Sequence, residues 1–150
     1  MKNLIDQLDE IEALLPKFEK INKNISTKSV GWQINHLLLV INNVCKTLIN
    51  SDPNTYKWNF NKTRLIVLTF GHIPRGTARA PKAVVSETFT QEDLQLEINN
   101  ARSLLKRLNS LNKNVHFIHP YFGDINLKTT KRFLNVHTYH HLKIIRDIVK

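Results

Sequence analysis

The residues best placed to do chemistry lie near the C-terminal end, in Phe133-Leu134-Asn135-Val136-His137-Thr138-Tyr139-His140-His141-Leu142. An imidazole can offer a lone pair to a metal or take up a proton. Two imidazoles four residues apart on a helix have Cβ atoms roughly 5–6 Å apart, close enough to share one cation. Seven histidines in 150 residues give roughly 0.3 such pairs by chance, so the spacing alone is a weak motif. Placement adds the signal. Leu134, His137, His141, Ile144 and Ile148 step by three and four, which sets His137 and His141 inside a stripe that should bury carbon, with His140 on its flank. Buried polar rings need partners, and one shared metal would satisfy both.

A third imidazole, His36, lies on an earlier helical pattern. Ser29 reads as its N-cap, Ile34, Leu37, Ile41, Val44 and Leu48 repeat the three-four seam, and Ser51-Asp52-Pro53 ends it. Trp32, His36, Leu39, Val40 and Asn43 make a second face, so the first half of this helix is expected to be buried on both sides. Alone, His36 reads as a core histidine bonded to a backbone carbonyl; a buried histidine pair opposite it changes that reading.

Other elements must hold these rings in place. Leu4, Leu8, Ile11, Leu15 and Phe18 predict a first helix that Pro16 kinks or ends near Leu15. Residues 63–70 are a short apolar run read as a short helix. Gly71 to Lys82, with two glycines and two prolines, is expected to be irregular. Thr90 caps a helix seamed by Leu94, Ile98, Ala101, Leu105 and Leu108. Val115 to Asp124, rich in aromatics, should pack close to the last helix, which runs from its cap Asn126 to Lys150. Four long helices without clear alternating strands predict an all-α, antiparallel four-helix bundle. It forms a single domain over 1–150, and a long crossover, 51–88, contains the short extra helix.

Net charge +10 and pI near 9.9 raise nucleic acid or an anionic surface as partners. The lysines alternate with asparagines in loops, as in Lys20-Ile21-Asn22-Lys23-Asn24, without a basic helix or interleaved aromatics, so nucleic acid is not expected. No apolar run approaches membrane-spanning length and the N-terminus shows no leader pattern, so no membrane partner is expected and a cytoplasmic location is. The single cysteine, Cys45, sits in an apolar helical run and reads as core in a reducing compartment. In the excursion, Arg75, Arg79 and Lys82 have the chemistry to hold a carboxylate or phosphate, although such residues usually face water. His119, before a proline, reads as a loop anchor rather than a fourth ligand. Arg75, Arg79 and His119 are the candidate substrate contacts; His72 and His116 carry no signal.

Taken together, Trp32-x3-His36-Leu37, Ile73-Pro74-Arg75-Gly76 with Ala80-Pro81-Lys82, His119-Pro120-Tyr121-Phe122-Gly123 and His137-x3-His141 resemble the DinB/YfiT-like superfamily. The resemblance is narrower still to one of its bacterial subfamilies of unknown function, and it spans residues from about 30 to 145. It implies a bundle holding a divalent transition metal (zinc, nickel, iron or copper) on His36, His137 and His141, with coordination left open for water or substrate. It also implies thiol-dependent transfer or isomerisation with a low-molecular-weight thiol; metal-assisted hydrolysis on a small molecule is the other reaction expected, and a homodimer is the expected assembly. No HExxH pattern and no carboxylate beside the histidines supplies a general base. Water on the metal, or His140, is left to move protons, and His140 reads first as a neighbour of the ligands or a surface residue. The alternative is a non-enzymatic bundle whose histidines plug the core or hold a structural ion, serving dimerisation or partner binding.

Overall fold

The computed structural model describes residues 2–76 and 88–150. Each helix starts where a short polar side chain accepts a hydrogen bond from an otherwise unpaired amide of the first turn. Asn3 caps α1 (Leu4–Leu14), Ser29 caps α2 (Val30–Asn50) and Asn61 caps α3 (Lys62–Phe70). Thr90 and Asp93 form a reciprocal capping box on α4 (Gln91–Arg107), and Asn126 caps α5 (Leu127–Val149). Pro16 does end the first helix: Leu15–Lys17 tightens into a single 3-10 turn.

The all-α expectation needs one correction. His116–His119 (β1) and Gly123–Asn126 (β2) pair antiparallel, with His116 opposite Asn126 and His119 opposite Gly123. Periodicity could not reveal strands of four residues whose burial does not alternate. The turn between them depends on Gly123 at φ +69°, where a Cβ would also lie 2.8 Å from the Asn59 amide. The chain is thus mostly helical, with five helices and a two-stranded sheet among the described residues.

Packing follows the apolar seams. In α2, Ile34, Leu37, Ile41, Val44 and Leu48 are all buried, and this helix packs against both α4 and α5. Leu94, Ile98, Ala101 and Leu108 face it from α4 and the turn that follows, with Leu104 sealed more completely than the expected Leu105. α1 and the turn after it close the remaining side against α4 and α5, burying Leu8, Ile11 and Leu15. Each such side chain contributes about 1.5–3 kcal/mol on full burial. Polar ties fix the mutual rotation of the helices. Buried Asn42 of α2 donates to the Glu97 carbonyl (3.2 Å) and carboxylate on α4. Arg102 bonds Asp9 and Glu12, both at 2.6 Å, and Arg146 grips Glu10 at 2.6 and 2.8 Å.

Cys45 is sealed in this core and burial pushes its thiol up to about 12, as expected of a packing residue rather than a nucleophile. No described helix is long and apolar enough to cross a membrane.

Candidate metal centre

α2 and α5 bring His36, His137 and His141 together. One ring nitrogen from each lies within 4.8 Å of the other two. The ring centroids are 5.3 Å apart for His36 and His137, 4.8 Å for His36 and His141, and 4.6 Å for His137 and His141. The sequence placed the α5 pair one turn apart on one face; the contact between α2 and α5 supplies the third ring. Two nitrogens each about 2.0–2.1 Å from one ion lie at most about 4.2 Å apart, so a wider pair closes by small side-chain rotations when an ion is held.

His36 and His141 are buried and His137 is half-buried. Burial, reinforced by the neighbouring imidazoles, pushes His137 and His141 well below the ordinary histidine value. Both rings are therefore neutral at pH 7, the form that presents a lone pair to a metal. His137 Nδ1 is buried with no hydrogen-bond partner. Such an orphan costs about 1–3 kcal/mol, a cost that a cation removes. Three imidazole nitrogens fit a borderline transition ion better than calcium or magnesium, which prefer oxygen.

The supporting shell is more specific than the sequence suggested. Buried Gln33 accepts a hydrogen bond from His141 Nδ1 at 2.7 Å, and its amide nitrogen donates to Ser26 Oγ at 3.2 Å. Because that bond holds the proton on Nδ1, Nε2 of His141 keeps its lone pair. Gln33 was missed because a lone amide on a helix forms no motif. Its position three residues before His36, on the same face, was the available signal. Trp32 stacks on His36 with planes 8° apart, and Phe133 packs against His137.

The other candidates lie around this centre with distinct partners. His140 is tied to the backbone of Ile73 and, by burial first of all, is held down at about 4. That bond anchors the chain entering the excursion to α5 and sets His140 edge-on to His141. Arg75, a candidate substrate contact, donates to Asp147 of α5 at 2.7 Å. Arg79 and Lys82 lie outside the described residues. His119 behaves as the loop anchor: its Nδ1 accepts from the amides of Tyr121 and Phe122, and its ring stacks on Phe122 and meets Phe133 edge-on. Burial lowers it to about 4. His116, given no role, bonds Asp124 at 2.6 Å and Thr55 at 3.0 Å, pinning the turn after α2 to the hairpin.

Comparison with protein-family models, with curated proteins and with solved structures gave no match to this chain.

Proposed function

We propose that this chain is a metal-dependent enzyme of the DinB/YfiT-like kind, an antiparallel four-helix bundle acting on a small molecule at an ion held by His36, His137 and His141. One observation carries the reading: three imidazoles from two helices converge within 4.8 Å, two of them buried. When bound, a divalent transition ion supplies Lewis acidity that lowers the pKa of a coordinated thiol or water. The protein's own part is positional. Gln33 fixes the tautomer of His141, Trp32 stacks on His36, and burial keeps His137 and His141 unprotonated. An ion held by three protein nitrogens alone would have room for a substrate thiolate or for water, which is why thiol-dependent transfer or metal-assisted hydrolysis is preferred here to a purely structural ion.

The second reading, hydrogen-bonded core histidines or a closed structural site in a non-enzymatic bundle, draws support from the Gln33 bond, which satisfies one nitrogen of His141 without any metal. Protein purified without a polyhistidine tag and loaded with cobalt(II) separates the two. The enzyme reading expects about one equivalent bound, lost on His137→Ala, and a visible spectrum that changes when a low-molecular-weight thiol is added. Metal content indifferent to His137→Ala overturns the site. A spectrum that no thiol alters refutes the thiol chemistry.

A further inference from the structure

Five of the exposed large apolar residues lie on α3 and the link before it. α3 leaves Leu65, Ile66 and Phe70 in water, and the link before it adds Trp58 and Phe60; Phe70 is 77%, Trp58 71% and Phe60 68% exposed. Single exposed apolar residues are ordinary, but a contiguous group marks a surface that meets something. A groove of about 460 Å³ between α3 and the start of α5 runs beside them, bounded by Trp58, Phe60, Leu65 and Leu68, with Lys128 and Arg132 from α5. Basic residues dominate the charge here, and the acid beside them, Asp124, has its carboxylate taken up by the Lys57 amide and by His116. No Asp or Glu stands between Asp52 and Glu87. Arg64 is spent on the fold, donating to Asn59, to the Phe122 carbonyl (3.1 Å) and to the Asp124 carbonyl (3.2 Å). Arg132 Nε is taken up by the Leu68 carbonyl. Lys57, Lys62 and Lys128 remain as exposed ammonium groups around the aromatic side chains.

We propose that this face docks on an anionic lipid bilayer. A second copy related by a two-fold axis would set Lys57, Lys62 and Lys128 against the same lysines, in a chain already carrying +10, while Asp124 beside them is already held by the Lys57 amide and His116. A nucleic acid would use Trp58 and Phe60 for stacking but gains nothing from Leu65 and Ile66. An acidic helix fits a slot, whereas Ile66 and Phe70 lie outside the groove, so the apolar surface is a broad face. A bilayer surface meets every feature. Trp58 and Phe60 sit at headgroup depth, Leu65, Ile66 and Phe70 enter the acyl boundary, and the lysine stems pass their ammonium groups up to lipid phosphates. No spanning segment is needed for such contact, so the expectation of no membrane partner, drawn from the lack of one, does not bear on it.

Co-sedimentation of the full chain with vesicles tests this, using phosphatidylcholine alone and phosphatidylcholine mixed with phosphatidylglycerol. Binding is expected only to the mixed vesicles and should weaken as salt rises. Trp58→Ser with Phe70→Ser should lower partitioning by roughly tenfold or more, and each of Lys57→Gln and Lys62→Gln by about fivefold, with thermal unfolding unchanged. In the unaltered protein, acyl-brominated lipids should quench fluorescence that disappears in Trp58→Phe. No binding to the mixed vesicles, binding indifferent to these substitutions, or no quenching of Trp58 overturns the proposal. So does a dimer that Phe70→Ser dissociates in the absence of vesicle binding, which would give the face to a second copy. Preferential capture of a single-stranded oligonucleotide would overturn it in favour of nucleic acid.

Discussion

Gln33 is where one hydrogen bond does most for the proposed chemistry. Its 2.7 Å contact with His141 Nδ1 selects the tautomer in which Nε2 is a ligand, and Ser26 in turn holds the amide. Gln33→Leu keeps the shape and removes both contacts. Metal affinity is expected to fall by roughly 10–100-fold while the folded state persists. Competition with a chromophoric chelator reads the affinity and far-ultraviolet circular dichroism reads the fold. An affinity unchanged by this substitution would reduce Gln33 to a packing residue. The inward placement of the three imidazoles was legible beforehand, because helical period puts His137 and His141 on a buried stripe and His36 on the second face of its helix, while their meeting at one point was implied only by the family resemblance. Gln33 was not, because its role depends on a partner 108 positions away in the chain. The ion pair of Arg75 was hidden for a related reason: the sequence shows a basic loop residue but not Asp147 waiting on the far helix.

Among the elements, the start of α2 carries the tightest constraint. Gly31 donates its amide to the Phe18 carbonyl at 2.7 Å, and a Cβ there would lie 2.9 Å from that same oxygen and from the Phe89 ring. The backbone after α1 thus passes against the helix turn that carries Trp32 and Gln33. Gly31→Ala gains little helix propensity so near an N-terminus and must push a backbone oxygen aside. A loss of about 1–2 kcal/mol is expected in urea unfolding. Equal or greater stability would mean that the segment yields freely. The helices were readable from caps and seams because both signals are local: Ser29, Thr90 and Asn126 mark their starts within the first turn. The β1–β2 hairpin was not, since its strands are short and take their stability from neighbours such as Arg64, far away in sequence.

Across the whole molecule, charge pairs link helices that seams alone would let slide. Arg146 grips Glu10 with two short bonds, with Lys2 alongside, and these contacts, Arg146 first, hold the Glu10 carboxyl below its ordinary 4.5. A carboxylate whose value is lowered by folding stabilises the fold fully above the unfolded value; that contribution is lost as pH falls through the folded one. Glu10→Gln should therefore cost up to about 1 kcal/mol at neutral pH and nothing at pH values below the folded carboxyl, measured by urea unfolding across pH. A difference that persists in strong acid would point to packing rather than charge. The same dependence on distant partners governs the link between sheet and last helix. Asn126 is both the final residue of β2, opposite His116, and the cap of α5, with no spacer between. The hairpin and the helix are consequently locked in phase. A single residue added at that junction would turn everything beyond it by about 100°, swinging His137 and His141 away from α2 while leaving every seam residue in place in the sequence.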